Sequence, residues 1–226
     1  MTTVVGMSMR EKQMFRTDSF TLIGAALVGS ATVVFASLSE APFFPSSLQT
    51  TLGECPEHQW IPAHRRPVLV PGEDYWFAHQ LLALHEAPLA WEGAEQRPQL
   101  RFTLFADGWA MSVRVRETDR GRLLLTAKSL SPCSDGRGCF VEKVLSPTEQ
   151  ARLETAVEPL LGIPPYGCDS GVDGSNFVLE ASDAGGYRIW HQWSPRSGEL
   201  RAAGEVFLDL AGWPPDYGPN APTPKL

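Results

Sequence analysis

The amino-acid sequence predicts an antiparallel α+β fold in which a β-meander and a β-hairpin pack against one or two helices, behind an N-terminal signal or anchor segment. Three observations predict it: two runs of alternating apolar and polar residues around an Asp-Gly dipeptide, a second pair of strand-like runs near the C-terminus, and a helix-start pattern between the two. The 226-residue chain is 43% hydrophobic and 20% charged, which is typical of a globular protein.

The meander is predicted over residues 99–145. Asp107-Gly108 is typical of a two-residue hairpin turn, and it separates two runs in which every second residue is apolar. Such a turn pairs Leu104 with Met111 and aligns the other apolar residues of both runs on one face. A third strand follows the second, and a fourth is expected over residues 139–145.

A helix is predicted to begin at Ser146. Ser146 suits the N-cap, Pro147 suits the first helical position, and Glu149 can close a capping box. Pro159 is expected to kink or end this helix, and Gly162 closes it. Its buried stripe is formed by Leu153, Val157 and Leu160-Leu161.

A second hairpin is predicted from residues 176–181 and 187–194. If the five residues between them form the loop, Leu179 pairs with Ile189 on the buried face. Trp190 then lies on the opposite, outward face of its strand.

The chain divides into four parts by composition. These are a signal peptide or signal anchor (1–41), a proline-rich arm with a possible short helix (42–98), a globular α+β domain (99–213) and a coil tail (214–226). The helix of the arm is expected over residues 73–86, although its apolar residues are too numerous for one clean stripe. A closing helix of the globular domain is expected over residues 200–210.

The N-terminal segment has the pattern of an export signal. Arg10, Lys12 and Arg16 precede a long uncharged stretch whose apolar part runs from residue 20 to residue 36. This part is short for a bilayer span and slightly long for the core of a signal peptide. We therefore expect an exported, extracytoplasmic or periplasmic protein, either anchored in the inner membrane by residues 20–36 or cleaved after Ala36.

The chain contains four cysteines, and their spacing matches neither a Cys-x-x-Cys motif nor a zinc finger. An even number of cysteines in an exported protein indicates two disulfides, and four cysteines allow three pairings. The polar, glycine-containing loop between Cys133 and Cys139 favours a bridge between these two, which leaves Cys55 to pair with Cys168. Chain entropy gives about 2.4 kcal/mol for the short bridge and about 4.8 kcal/mol for the long one.

Charge and motifs exclude several classes of function. The formal charge is −7, and residues 1–41 contribute nothing to it because they hold three basic and three acidic residues. An acidic domain does not suit nonspecific nucleic-acid binding, which depends on Lys and Arg. The sequence contains no Gly-x-Ser-x-Gly, His-Glu-x-x-His or Walker motif, so it predicts no catalytic residue, metal ligand or cofactor.

In the meander, basic residues at alternate positions of the strands point to a single face of the sheet. A basic face on an acidic domain can bind an anionic envelope polymer or lipid phosphate. The alternative is the solvated side of a sheet that is buried on one face only. The residues are Arg101, Arg114, Arg116, Arg122 and Lys128.

Trp190 is the second candidate for a binding surface. On the predicted outward face it lies beside Arg188 and Gln192, and a Trp among hydrogen-bonding groups suits a glycan or a protein partner. The alternative is that a helix or the arm covers it.

A series of short motifs in the C-terminal third resembles a pattern shared by uncharacterised bacterial exported or lipid-anchored proteins. In this chain the motifs are Asp173-Gly174-Ser175-Asn176-Phe177-Val178-Leu179-Glu180, Tyr187-Arg188, Trp193-Ser194-Pro195 and Leu210-Ala211-Gly212-Trp213. Where that family often has Trp, this chain has Phe177. The family has no established activity, so the resemblance supports the predicted fold and implies no function.

The sequence therefore favours a non-enzymatic binding or interaction domain of the cell envelope, whose partner is an anionic polymer, a glycan or a protein, and which reaches the membrane through its N-terminal segment only. One alternative is an envelope hydrolase that uses a carboxylate and His191. Another is an inhibitor or immunity-type protein that blocks a basic enzyme through its negative charge.

Overall fold

The computed structural model describes residues 42–57, 61–91, 97–106, 109–132, 138–168, 171 and 174–213. The predicted targeting segment, the Asp107-Gly108 turn and the coil tail lie outside these residues. The described elements are β1 (Leu52–Cys55), β2 (His64–Pro67), α1 (Glu73–Ala83), β3 (Gln99–Ala106), β4 (Trp109–Glu117), β5 (Leu123–Pro132), β6 (Gly138–Val144), α2 (Pro147–Leu161), β7 (Tyr166–Cys168), β8 (Ser175–Asp183), β9 (Gly186–Trp193), α3 (Glu199–Leu210) and the 3₁₀ turns Ser46–Gln49 and Leu89–Trp91.

The strands form one large sheet and one small sheet. The seven-stranded sheet has the order β6-β5-β4-β3-β8-β9-β7, and β1 pairs with β2 in a separate two-stranded sheet. In the large sheet β7 runs parallel to β9, and the other neighbouring pairs are antiparallel. The predicted α+β class, with an antiparallel meander and a hairpin, is confirmed.

The register of the first hairpin is the predicted one. Leu104 lies opposite Met111, and Phe102 lies opposite Val113. These side chains point to the face of the sheet that α2 and α3 cover, called here the helical face, whose buried residues include Phe102, Leu104, Val113, Leu125 and Leu179. The alternation of apolar residues therefore predicted both the pairing and the buried side.

The register of the second hairpin differs from the prediction by one residue. Leu179 lies opposite Trp190 instead of Ile189, because β8 and β9 extend into the expected loop and leave a two-residue turn. The turn is closed by Asp183, whose Oδ1 accepts a hydrogen bond of 2.7 Å from the backbone of Gly185, and by Gly186 with a φ of +108°. A shift of one residue moves a side chain to the opposite face. The predicted outward position of Trp190 was therefore wrong.

Helix α2 begins as its sequence predicted. The Ser146 side chain accepts a hydrogen bond from the backbone N–H of Glu149, and the Glu149 carboxylate accepts one from the backbone N–H of Ser146. Leu153, Val157 and Leu160 are buried against the helical face. Pro159 does not end the helix, which continues to Leu161 and is followed by Gly162 at its C-cap.

The opposite face of the sheet is also covered, which the sequence did not predict. This arm face carries the side chains of Arg101, Arg114, Lys128, Val178 and His191. Residues of the proline-rich arm pack on it, with Phe44, Leu48, Val68, Leu69, Phe77, Leu81 and Leu84 in one cluster with Val178 and Ile189. The expectation that one sheet face is solvated was therefore wrong for the central strands, which are buried on both sides.

Helix α1 crosses the strands of the arm face. At its start the ring of Phe77 packs edge-on against His191 of β9, with 5.4 Å between ring centroids. Just beyond its end the carbonyl of His85 accepts a hydrogen bond of 2.9 Å from Nζ of Lys128 in β5. The helix thus runs from β9 towards β5, and the edge strand β6 lies beyond its C-terminal end.

A disulfide joins the β1–β2 hairpin to β7. Cys55 and Cys168 are bonded, with 5.4 Å between their Cα atoms, as the sequence predicted. The predicted Cys133–Cys139 bridge depends on side chains outside the described residues. A disulfide is consistent with an oxidising compartment. None of the helices in the described part of the chain is long and apolar enough to cross a membrane.

Candidate functional site

Arg101 lies at the centre of the arm face and is completely buried. Its Nε and Nη2 donate hydrogen bonds of 2.6 and 2.7 Å to the two carboxylate oxygens of Glu180, and its Nη1 donates one of 2.7 Å to the carbonyl of Ala87. Burial lowers the pKa of Arg101, but the charge of Glu180 and the hydrogen bonds to it raise the pKa above its ordinary value. The guanidinium is therefore a fixed buried cation with its donors satisfied.

Glu86 neutralises the neighbouring basic side chains. Its Oε1 lies 2.7 Å from Nζ of Lys128, and its Oε2 lies 3.6 Å from Arg101 and 3.9 Å from Arg114. The chain turns inward to place this carboxylate at His85, two residues beyond the end of α1, where φ is +55°. One carboxylate thus lies within 4 Å of three cations, and its hydrogen-bonded oxygen is the one beside Lys128.

The five predicted basic residues are therefore not one solvated surface. Arg101, Arg114 and Lys128 belong to the buried network with Glu86 and Glu180, whereas Arg116 and Arg122 are exposed near one end of β4 and β5. Neither carboxylate was predicted from the sequence as part of a site. The signal for Glu180 is its position directly opposite Arg101, but that position requires the pairing of β3 with β8, which local patterns do not reveal.

Trp190 is buried in the core of the helical face and is not a surface residue. Its Nε1 donates a hydrogen bond of 3.1 Å to the carbonyl of Pro164, and the guanidinium of Arg188 lies 5.7 Å from its ring centroid. The ring therefore has its polar atom satisfied inside the fold, and Trp190 does not form an exposed binding surface.

His191 is fully buried on the arm face. Its Nε2 donates to the carbonyl of Val68 at 2.6 Å and lies 3.8 Å from a carboxylate oxygen of Glu73. A carboxylate is therefore close, as the hydrolase hypothesis requires, but the imidazole is enclosed and bonded to the backbone. Gly167 allows this packing, because an added Cβ would lie 1.9 Å from the Val68 carbonyl and 2.1 Å from Nε2. The arrangement is that of a structural histidine.

A cleft of about 760 Å³ lies beside the disulfide. The β1–β2 hairpin forms one wall, and the segment between α2 and β7, with the start of α3, forms the other. We call it the hairpin cleft. It is lined by Leu52, Glu54, Cys55, Pro56, Ala63, His64, Arg65, Ile163, Pro164, Tyr166 and Glu199.

The hairpin cleft combines exposed apolar walls with charges of both signs. Leu52 is 51% exposed and Ile163 is 40% exposed. Glu54 lies 3.9 Å from Arg65 in a pair that is open to solvent. Burial raises the pKa of the Tyr166 hydroxyl, and the negative charge of Glu199 adds to this effect. The cleft can therefore take up apolar groups while offering both donors and acceptors at its rim.

The sequence could not have revealed the hairpin cleft, because its walls are separated by about a hundred residues along the chain. Leu52 and Ile163, for example, come from the arm and from the loop after α2. The available signal was the predicted Cys55–Cys168 bridge, which holds these two segments together.

No protein-family model matches the chain, and no curated protein matches it significantly. The resemblance of residues 173–213 to exported bacterial proteins therefore remains a prediction. Among the residues that the structure describes, no three His, Cys, Asp or Glu side chains are grouped as a metal site requires.

Proposed function

We propose that the protein is a non-enzymatic binding domain that works outside the cytoplasm, and that its hairpin cleft binds a short peptide segment of another envelope protein. The volume of the cleft, about 760 Å³, carries this proposal, because ligand sites are clefts of roughly 300–1,000 Å³ with apolar walls and a few polar groups. The N-terminal segment, basic and then apolar, supports export. It either anchors the domain through residues 20–36 or is cleaved after Ala36.

The lining of the cleft favours a peptide over a glycan. Its exposed walls are aliphatic or proline, and Glu54 and Arg65 offer an acceptor and a donor to a peptide backbone. Glycan sites depend on exposed aromatic rings. Tyr166 is the one phenylalanine, tyrosine or tryptophan among the described lining residues, and only 8% of it is exposed.

Two other functions considered from the sequence receive less support. An anionic polymer would need the five predicted basic residues to be available. Three of them are paired with Glu86 or Glu180. Hydrolysis by His191 requires a substrate to reach an imidazole that is 0% exposed. The hairpin cleft is open, and neither objection applies to it.

A peptide library displayed on phage tests the proposal. Peptides selected on the wild-type domain should be rich in aliphatic residues and should bind the Leu52→Asp and Ile163→Asp variants about ten-fold or more weakly, since each substitution removes an apolar contact worth at least ~1.4 kcal/mol. Both residues are exposed, so the variants should keep the fold.

Leu82→Asp is the matched control, because Leu82 is 58% exposed and lies outside the cleft. Selected peptides should bind this variant as they bind the wild type. If all selected peptides bind the Leu52→Asp and Leu82→Asp variants equally well, the hairpin cleft is not the binding site.

A further inference from the structure

Exposed apolar side chains are unevenly distributed over the described part of the protein. Nine large apolar residues are exposed there, and Leu52 and Ile163 belong to the hairpin cleft. The other seven, which the cleft does not explain, are Tyr75, Trp76, Leu82, Trp91, Leu130, Phe140 and Val144.

The outer side of α1 contains two of them, Tyr75 and Leu82, and Trp76 lies at its edge with its ring 5.3 Å from that of the buried Phe105. Phe77, Leu81 and Leu84 point towards the sheet and are buried, which leaves the other side of the helix outward. On that side Tyr75 is 74% exposed and Leu82 is 58% exposed. In α1, which is described throughout, no charged side chain follows Asp74. An outward helix face without charge is unusual, since solvated helix faces carry charged and polar residues.

At least three further exposed residues lie on the same side of the sheet as α1. Phe140 is opposite Lys128, and Val144 is opposite Leu124, so both side chains of the edge strand β6 point to the arm face. Trp91 ends a 3₁₀ turn that also packs there, because the Leu89 carbonyl accepts a hydrogen bond from the Ser182 hydroxyl on the arm face. Six of the seven uncovered apolar residues thus lie on one side of the sheet, where the exposed Glu142 separates Phe140 from Val144 on β6.

The described chain begins on this side as well. The carbonyl of Pro42 accepts a hydrogen bond of 2.6 Å from Nε1 of Trp91, and the ring of Phe43 lies 5.4 Å from the guanidinium carbon of Arg101. Pro42 follows the apolar segment that ends at Ala36 by six residues. An extended chain of that length spans about 20 Å at most. A bilayer that holds residues 20–36 is therefore within reach of this side.

Exposed cations flank the apolar groups. Arg116 lies in one row with Leu124 and Val144 across β4, β5 and β6, and Arg122 directly precedes β5. Both are exposed, although the chain as a whole has a charge of −7. Cations beside interfacial apolar residues suit the headgroups of anionic lipids.

We propose that the α1 side of the sheet is a membrane-docking surface that lies on the anionic bilayer holding residues 20–36. Tyr75, Trp76, Leu82 and Trp91 enter the interfacial region, where Trp and Tyr are favoured because one end of each ring is apolar and the other polar. Arg116 and Arg122 contact lipid phosphates. The proposal uses none of the residues that line the hairpin cleft, so the two can fail separately.

Quenching by brominated lipid tests the proposal on the full chain. The protein is reconstituted, one copy per disc, in nanodiscs of equal parts phosphatidylcholine and phosphatidylglycerol, with or without bromine on the acyl chains. Bromine quenches only nearby indoles, so Trp76 and Trp91 should lose fluorescence, whereas the buried Trp190 and Trp213 should not. The combined Trp76→Phe and Trp91→Phe variant should lose the quenchable component, which assigns the signal to this surface.

Two sets of variants separate docking from tethering alone. Tyr75→Asp with Leu82→Asp should abolish the quenching of Trp91, whereas Leu52→Asp in the hairpin cleft should leave it unchanged. Arg116→Gln and Arg122→Gln should each lower the ratio of docked to undocked protein about five-fold in phosphatidylglycerol discs, since a cation near an anionic surface is worth ~1 kcal/mol. In pure phosphatidylcholine these two variants should match the wild type.

Two outcomes would overturn the proposal. One is unquenched Trp76 and Trp91 in the anionic discs, which would place this side away from the bilayer. The other is a dimer of the full chain in detergent that Leu82→Asp dissociates, which would assign the surface to contact between two copies.

Discussion

Arg101 has an unfavourable neighbour on one adjacent strand and a favourable one on the other. It lies directly opposite Arg114 across β3 and β4, and like charges in that position destabilise a sheet. On its other side it lies directly opposite Glu180 of β8, and the two form a bidentate, fully buried ion pair. The attraction on one side therefore offsets the repulsion on the other, and Tyr187 adds a hydrogen bond of 2.8 Å to Glu180.

Removing the charge of Glu180 should be far more costly than removing the whole pair. Glu180→Gln removes the bidentate partner and leaves the buried guanidinium only the carboxylate of Glu86, 3.6 Å away, so we expect the free energy of unfolding to fall by about 3–5 kcal/mol. The double variant Arg101→Met with Glu180→Met removes both charges of the pair while Glu86 keeps its ion pair with Lys128, so it should be destabilised much less than Glu180→Gln alone. Urea denaturation of the three proteins measures this difference.

The control for this experiment is the half-buried surface pair of Arg201 and Glu205, which are four residues apart on α3 and 2.7 Å from each other. Glu205→Gln should change the free energy of unfolding by only about 0.3–0.5 kcal/mol, because surface pairs are hydrated in either state. Equal losses from the Glu180 and Glu205 substitutions would show that the Arg101 pair is not desolvated.

At the scale of single elements, local signals predicted structure where both partners of an interaction are close in sequence. The Asp107-Gly108 dipeptide predicted the pairing of β3 with β4, and Ser146 and Glu149 predicted the start of α2. The register predicted for the second hairpin was wrong by one residue, because Asp183 and Gly186 form a tighter turn than the sequence suggested. That single residue moved Trp190 from a predicted surface into the core.

The start of α2 should make part of the stability depend on acid. Hydrogen bonds from Lys143 and from the backbone and hydroxyl of Ser146 lower the pKa of Glu149 from 4.5 to about 2. A carboxylate with a lowered pKa stabilises the fold above its ordinary pKa, and this contribution is lost as the pH falls from about 4.5 towards 2. We therefore expect the wild type to lose stability in that interval.

Glu149→Gln isolates this contribution, because glutamine can still close the capping box but does not titrate. The variant should be less stable than the wild type at pH 6, and the difference should shrink as the pH falls through the interval from 4.5 to about 2. Free energies of unfolding from urea titrations at a series of pH values measure the difference. A difference that is constant with pH would show that the Glu149 carboxylate gains nothing on folding.

At the scale of the whole molecule, the arm explains most of what the sequence could not predict. Its prolines break the local periodicity, so no pattern indicated that Phe44, Leu48 and Val68 cover the arm face. If that cover is left out, the strand pattern predicts that Arg101 and Lys128 belong to an exposed basic face. The apolar residues of α1 looked too numerous for one stripe, and the structure shows that Phe77 and Leu81 face the sheet while others face outward. Contacts between distant segments therefore decide which of the predicted surface residues are exposed and which are buried.

The Cys55–Cys168 disulfide should be the largest single covalent contribution to this assembly. It closes a loop with a sequence separation of 113 residues, for which chain entropy gives about 4.8 kcal/mol. Replacing both cysteines by alanine should therefore lower the free energy of unfolding by up to about 4.8 kcal/mol. Denaturation in urea under non-reducing conditions measures the loss.

The location of the bridge makes a second, structural outcome testable in the same variant. Because the bridge joins β1 to β7, its loss should increase hydrogen exchange in the β1–β2 hairpin more than in the central strands β3 and β8. The hairpin forms one wall of the hairpin cleft, so peptide binding should weaken along with it. The combined Cys133→Ala and Cys139→Ala variant is the control, for which chain entropy predicts a smaller loss of about 2.4 kcal/mol. Equal exchange in the hairpin with and without the Cys55–Cys168 bridge would show that packing alone holds this wall of the cleft.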